Sequence, residues 1–360
     1  MSYTKHVRKD LLEISPYRLD TDFPSEAIPN LVRMSLNENP LIEKPKLTQM
    51  LKKVVAKVDP RDYPEPHARI AVDAISRFHK IDPLKVLVGN GLDDALDRLV
   101  RTFVDKDSGV LVTEPTFFMY TYYTQLCQGQ KIDVMLNSDF SLDIETLIRT
   151  SSDAKLVFIC SPNSPTGNQF KKDDIIHIIE RCNSIVVIDE TYVDFAKYSI
   201  LELTNKYDNL IVLRTFSKAY GLAGIRIGYL IADSGLVDTI KKTVHPFNVG
   251  TIAQHLVVEA LKNHSYFKKR FKAVIKERNW LIAELKNIDG ITVFPSDTNF
   301  ILFKITNGES SSQIQNDLKQ KGLLIKDRGK IPMLENCLRV TVGTRASNKR
   351  FLRELRRILS

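Results

Sequence analysis

Residues 211–232 read IVLRTFSKAYGLAGIRIGYLIA. An apolar run enters Thr-Phe-Ser-Lys, passes through small residues to Arg226, and leaves in a second apolar run. A lysine after a strand is ordinarily a surface residue. Here hydroxyls at Thr215 and Ser217 flank Lys218, and Arg226 follows eight residues later in a glycine-rich turn. That combination suits a ligand carrying both an aldehyde and a phosphate ester. A lysine amine loses its proton more readily when desolvated or placed near other cations. An arginine presents a fixed fork to phosphate oxygens.

Other apolar runs lie outward from this stretch. Residues 85–90 (KVLVGN), 108–115 (SGVLVTEP), 155–162 (KLVFICSP) and 184–190 (SIVVIDE) read as buried strands, as do 209–216 and 227–232. Residues 93–104 (DDALDRLVRTFV) and 172–182 (KDDIIHIIERC) have the spacing of amphipathic helices. Strands interleaved with helices predict an α/β fold with a largely parallel sheet, and such sheets bind ligands at the carboxyl ends of their strands. One of these ends carries Asp189, with Tyr192 three residues on. Alone, the aspartate reads as a loop cap. Beside an aldehyde-binding lysine it suits the ring nitrogen of pyridoxal phosphate, which acts as an electron sink only while protonated. Tyr192 would then face the ring phenolate oxygen. After residues 85–90, Gly91-Leu92-Asp93-Asp94 opens a helix, whose free N–H groups and dipole favour an anion. The two aspartates also suit plain helix capping.

From about residue 250 the pattern changes. Helical stretches at 253–263 and 265–287 lead to 291–305 (ITVFPSDTNFILFKI), an amphipathic segment, and 338–344 (LRVTVGT). This predicts a small α+β domain over 250–360, including an interdomain helix, after a large domain over 36–249. Residues 1–35 are read as an irregular arm that packs on the small domain or on a partner subunit. The last residues, 345–360, alternate apolar positions with Arg350, Arg353 and Arg357, as an amphipathic helix with a solvated basic face would. Phe267, Phe271 and Trp280 fall at helical spacing and read as core; Tyr122 and Tyr123 are expected beneath Phe117.

The chain has 360 residues, 43% of them hydrophobic and 26% charged, with a net charge of +9 from 52 basic and 43 acidic residues. A basic surface suits phosphorylated substrates as well as nucleic acid, but no zinc-finger spacing, RNP motif or basic aromatic repeat accompanies it. Neither a metal site nor a disulfide framework is expected from Cys127, Cys160, Cys182 and Cys337, which are widely spaced, nor from seven histidines without ligand spacing. With no long apolar run and no secretory leader pattern, the expectation is a cytoplasmic protein without a membrane partner.

Taken together, the motifs resemble the fold-type I pyridoxal-phosphate aminotransferases, and among them the histidinol-phosphate aminotransferases. The resemblance rests on SPYRLD at 15–20, SLNENPL at 35–41, DYPEP at 62–66, GNGLDDAL at 89–96 and EPTFFMY at 114–120. It continues through SPNSPTGN at 161–168, VVIDETYVDF at 186–195, RTFSKAYGLAGIRIGY at 214–229 and LRVTVGTR at 338–345. It implies a mostly parallel seven-stranded sheet between helices, pyridoxal 5′-phosphate as cofactor, and a homodimer with shared active sites. By the same resemblance Lys218 is the Schiff-base lysine, Asp189 the ring-nitrogen partner and Tyr192 the donor to the ring oxygen. Thr215, Ser217 and Arg226 hold the cofactor phosphate, with backbone at Gly91, Leu92 and Asp93, and with Tyr63 contributed across the dimer. Arg345 is expected to hold the carboxylate or phosphate of the substrate, with Tyr17 and Asn37 or Asn39 lining it.

Two positions depart from the family pattern. Ser164 stands where an asparagine usually precedes Pro-Thr-Gly, leaving the ring-oxygen contact to Asn163 or Ser164; and Phe117 replaces a tyrosine that stacks on the ring. The implied reaction is transamination between histidinol phosphate and 2-oxoglutarate. An aromatic or broad-specificity aminotransferase and a threonine-phosphate decarboxylase share the scaffold. A non-catalytic cofactor-binding or nucleic-acid-binding relative fits the intact Lys218, Asp189 and Arg226 poorly.

Overall fold

The computed structural model describes residues 3–15 and 28–360. Thirteen strands are present among them: β1 (Val32–Arg33), β2 (Val86–Asn90), β3 (Gly109–Glu114), β4 (Gln130–Met135), β5 (Leu156–Cys160), β6 (Ile185–Asp189) and β7 (Leu210–Thr215), then β8 (Ile227–Ile231), β9 (Ile291–Val293), β10 (Phe300–Ile305), β11 (Leu323–Leu324), β12 (Lys326–Asp327) and β13 (Cys337–Thr341).

The central sheet has seven strands in the order β2-β8-β7-β6-β5-β3-β4. Neighbours from β4 to β7 are parallel, and β8 runs antiparallel to both β7 and β2. Alternate residues of each strand enter two separate cores. Val86, Val88, Leu111, Val157, Ile159, Val186, Ile188 and Val212 face one, while Leu87, Val110, Val112, Phe158, Val187, Leu213 and Leu230 face the other. A sheet buried on both faces needs continuous apolar strands, which is why six of the seven are plain in the sequence. β4 is the exception: it lies at the sheet edge, and most of its residues, Gln130 and Asp133 among them, are partly or fully exposed.

The reversal of β8 matters for the site. Because β8 runs against its neighbours, its first residue, Ile227, lies at the same sheet edge as the last residues of β6 and β7, and Gly91 bridges to it. Arg226, just before β8, is thereby brought beside the helix Leu92–Phe103.

A four-stranded antiparallel sheet, β12-β13-β10-β9, follows, packed with the helices Ser311–Gln320 and Arg345–Leu359. Its inner residues Phe303, Leu338 and Val340 are continuous with the core on one face of the large sheet. The helical region after residue 250 is two helices, Thr251–Lys262 and His264–Lys286, parted at Asn263, whose side-chain Nδ2 donates to the Glu259 carbonyl. Phe267 and Phe271 are buried there, as their spacing indicates. The segment before the large sheet ties into the C-terminal part: β1 pairs in parallel with β11, and Thr341 N donates to the Met34 carbonyl.

Candidate active site

Lys218 lies just past the carboxyl end of β7, where the chain turns toward β8. Its Nζ donates to the Leu36 carbonyl at 2.9 Å. Burial, and then the positive charge of Arg339, push the amine down from 10.5 to about 8. Both act in one direction, since low dielectric and a neighbouring cation each disfavour an ammonium.

Asp189 closes β6 and is buried. Its Oδ2 accepts from the Tyr120 hydroxyl at 2.7 Å and its Oδ1 from Thr191 N at 2.9 Å. Burial raises its pKa above the usual carboxylate range, and those hydrogen bonds oppose the rise. Such a carboxylate gains by facing a cation. Tyr120 is itself wedged: its ring stacks on Phe158 at 4.6 Å and meets Phe117 edge to face at 5.6 Å. The expectation for Tyr122 and Tyr123 therefore fails. Tyr120, one helical turn past Phe117, is the tyrosine that packs against it; Tyr122 lies against Phe118 and Tyr123.

Tyr192 follows Asp189 around the strand end and is buried. Its hydroxyl oxygen accepts from Asn37 Nδ2 at 2.9 Å, and burial raises its pKa. Asn163 and Ser164 have different partners. Asn163 is bound into the framework, its Oδ1 accepting from Thr116 Oγ1 and its Nδ2 donating to Pro115 O and Thr166 Oγ1. Ser164 Oγ instead accepts from Arg339 Nη1 at 3.2 Å and bears on the Tyr192 hydroxyl.

At the other end of the cluster, Arg226 holds a left-handed backbone (φ 56°) and its Nη2 donates to Asp93 Oδ2 at 2.9 Å. Non-glycine residues adopt that conformation at some cost, and such strain collects at functional sites. A Cβ on Gly91 would stand 2.4 Å from Arg226 Nη2, and one on Gly228 would stand 2.4 Å from Leu92 N. Glycine at both places lets the N-terminus of Leu92–Phe103 close onto the guanidinium. Thr215 and Ser217 are buried at the end of β7, with Thr215 Oγ1 accepting from Ser217 N and donating to the carbonyl of Ile227, the residue after Arg226. A helix N-terminus, two hydroxyls and an arginine make a cradle for a phosphate.

Arg345 does not join this cluster. β13 ends at Thr341, Thr344 caps the last helix, and Arg345 opens it. Its guanidinium lies 3.8 Å over the Trp280 ring and bonds Glu277 at 2.9 Å. Trp280, expected in the core, is only partly buried beneath it. The other arginine acting on Lys218, and more strongly than Arg226, is Arg339, two residues before Thr341 and on the same face of β13. It is buried, donates from Nη2 to the Ser35 carbonyl at 2.7 Å, and lies 5.0 Å over the Phe300 ring. Its signal in the sequence is a charged residue in the middle of the apolar run LRVTV.

The asparagines expected to line a substrate are also bound to the framework. Asn39 Nδ2 donates to the Ala219 carbonyl at 2.7 Å, fixing the backbone after Lys218. Asn37 reaches Tyr192 and Thr341. Tyr63 is 81% exposed and stacks on Phe247 at 4.8 Å. Tyr17 lies outside the described residues. Among the described residues no group of His, Cys, Asp and Glu is arranged to hold a metal ion.

A strand-edge lysine, a buried carboxylate and a phosphate cradle on a mostly parallel sheet define a class of pyridoxal-phosphate enzyme. Residues 29–355 match the aminotransferase class I and II family, and the chain belongs to it. Within that family it is similar to the histidinol-phosphate aminotransferase of Thermoanaerobacter pseudethanolicus, at 34% identity over 340 residues, 94% of this chain and 96% of that protein. The solved structure of histidinol-phosphate aminotransferase from Sinorhizobium meliloti in complex with pyridoxal-5′-phosphate superposes with a TM-score of 0.87, covering 98% of this chain and 97% of that one at 23% identity. L-threonine-O-3-phosphate decarboxylase from Porphyromonas gingivalis shares the fold almost as well, with a TM-score of 0.81 over 91% of this chain and 99% of that chain at 24% identity. The fold therefore does not separate the two chemistries.

Proposed function

We propose that this chain is a pyridoxal-phosphate-dependent transaminase of histidine biosynthesis. It converts L-histidinol phosphate and 2-oxoglutarate into 3-(imidazol-4-yl)-2-oxopropyl phosphate and L-glutamate. The observation that carries the reading is Lys218, a buried amine brought down to about 8 between a buried carboxylate and a phosphate cradle. The substrate is inferred from the chain-long similarity to histidinol-phosphate aminotransferases.

The residues fit the cofactor. Asp189, buried and raised in pKa, suits a protonated ring nitrogen; Arg226, Ser217, Thr215 and the N-terminus at Leu92 suit its phosphate; Tyr192 and Ser164 suit its ring oxygen. When bound, pyridoxal phosphate supplies the electron sink that acidifies the Cα–H bond of an attached amine. Asp189 holds the proton at the ring nitrogen. Lys218 Nζ, whose proton is lost more readily at its lowered pKa, would in its neutral form take the Cα proton and then, as the ammonium, give it back as the amino group is transferred. Arg339, buried beside Lys218, binds the anionic end of each substrate in turn, phosphate or carboxylate. In this reading Arg339 takes the role that the sequence suggested for Arg345.

The chain works as a homodimer in this reading, with Tyr63 offered to the partner's site. The support is an aromatic ring 81% exposed and held on Phe247, which is itself exposed. The chain divides into an arm (1–35), a large domain (36–249) and a small domain (250–360) and works in the cytoplasm in this reading, which its four free thiols suit. No helix among the described residues is long and apolar enough to cross a membrane.

The test is a comparison of kcat/KM for L-histidinol phosphate, phenylalanine, tyrosine and threonine phosphate, with CO₂ monitored. Histidinol phosphate is expected to lead without CO₂ release. Preferred turnover of threonine phosphate with CO₂ release would assign the decarboxylase chemistry instead.

A further inference from the structure

Asn37 has a left-handed backbone (φ 57°), is buried, and bonds to three separate parts of the chain. Its N–H donates to Thr341 Oγ1 at 3.0 Å, and its carbonyl accepts from Asn299 Nδ2 at 2.9 Å. Thr341 Oγ1 in turn donates to Asn37 Oδ1 at 3.1 Å, and Asn37 Nδ2 donates to the Tyr192 hydroxyl at 2.9 Å.

The amide of Asn37 is oriented with Oδ1 on Thr341 and Nδ2 on Tyr192, and the proton count agrees with that orientation. Thr341 Oγ1 accepts from the Asn37 backbone, so its one proton is free to donate to an acceptor. That acceptor is Oδ1, which places the amide nitrogen toward Tyr192. Facing the Asn37 Nδ2–H, the Tyr192 oxygen accepts; Ser164, which also bonds this hydroxyl, accepts from Arg339 Nη1 and has its own proton to donate to Tyr192, so the single Tyr192 proton is left to point elsewhere. Asn37 thus acts as a one-way link from β13 to the phenol.

We propose that Asn37 is a positioning residue: with Thr341 it directs the Tyr192 proton away from the framework and toward the ring oxygen of bound cofactor. The proposal rests on the reading of Tyr192 as the ring-oxygen donor. It gives the left-handed conformation a purpose, since asparagine tolerates that conformation better than most residues and also carries the amide. It also couples the small sheet to the cofactor side of the large one through a single side chain.

A hydrogen bond to the ring oxygen stabilises its negative charge, so the lysine nitrogen beside it releases its proton at lower pH. The pH midpoint of the visible absorbance of the cofactor-loaded protein therefore reads the direction of the Tyr192 proton. Asn37→Gly keeps the backbone conformation and removes the amide. Asn37→Asp replaces the donor by an acceptor that competes for the Tyr192 proton. Both variants are expected to raise the midpoint, by about one pH unit for a hydrogen bond of ordinary strength. Thr341→Val, which frees the amide to turn, is expected to raise it as well and keeps the test alive if the Asn37 variants do not fold; Thr341→Ser is expected to restore it. In a Tyr192→Phe background, Asn37→Gly is expected to add nothing. An unmoved midpoint in both Asn37→Gly and Thr341→Val, while Tyr192→Phe shifts it, would overturn the role of Asn37 alone. An equal Asn37→Gly shift with and without the Tyr192 hydroxyl would do the same. No shift in Tyr192→Phe would remove the reading of Tyr192 and the proposal with it.

Discussion

Lys218 is the residue on which the chemistry turns, and its environment makes a quantitative demand. Burial first, and the charge of Arg339 second, favour the neutral amine and bring it from 10.5 to about 8. Only the neutral amine attacks an aldehyde, so below about 8 the protonated form is inert and above it the amine is free. Capture of pyridoxal phosphate by cofactor-free protein, followed by stopped-flow absorbance, is expected to accelerate with pH through a midpoint near 8 and then level off. A midpoint near 10.5 would show that the amine is not desolvated as the geometry requires. Arg339→Leu is expected to move the midpoint upward. The arginine also marks the limit of reading single residues by motif. Arg345 ends the conspicuous LRVTVGTR run, but the helix it opens turns it onto Trp280 and Glu277, while the strand face carrying Thr341 delivers Arg339 to Lys218. Which of two nearby arginines faces a site depends on where a strand ends, and that is set by pairing with β10 and β12 rather than by local sequence.

Between elements, the ends of β6 and β7 must hold register for Asp189 and Lys218 to stay on one edge. Glu190 follows Asp189 and Arg214 precedes Thr215, and the two form a largely buried pair at 2.7 Å. Glu190 also accepts from Ile200 N and Ser199 Oγ, and Arg214 donates to Ser199 Oγ at 2.6 Å. Removing one member strands a buried charge, which costs about 3–5 kcal/mol. Arg214→Met is therefore expected to lower unfolding stability by about that amount in urea titration. A loss below about 1 kcal/mol, the range of an exposed pair, would mean the pair does not staple the strand ends. The strands themselves were largely legible. β2, β3, β5, β6, β7 and β8 are continuous apolar runs because helices cover both faces of the sheet. β4 was not, since an edge strand with Gln130 and Asp133 in water has no such run. Tyr120 was equally hidden: its bond to Asp189 joins the helix after β3 to the end of β6, 69 residues away, and no local pattern reports such a pairing. Nothing local in the sequence sets Asn163 apart from Ser164, because Thr116 and Pro115, which hold the Asn163 amide, lie more than forty residues away along the chain.

For the whole molecule, the family and cofactor class were legible from the ordered motifs, because the cofactor demands a lysine, an acid and a phosphate cradle on one sheet edge. Assembly was less so, since a single chain shows only that Tyr63 is exposed and braced on Phe247. If Tyr63 serves the partner's site, mixed dimers of Lys218→Ala and Tyr63→Ala chains contain one site with both residues intact. Mixing the two proteins after reversible dissociation is expected to recover more activity than either supplies alone; no gain from mixed dimers would place Tyr63 outside the shared site. The most direct measurement follows the amino nitrogen itself. L-histidinol phosphate carrying isotopically labelled nitrogen, incubated with loaded protein and 2-oxoglutarate, is expected to yield labelled glutamate in step with imidazole-acetol phosphate, with no CO₂, and to yield none with Lys218→Ala. Release of CO₂, unlabelled glutamate, or undiminished transfer by Lys218→Ala would contradict it.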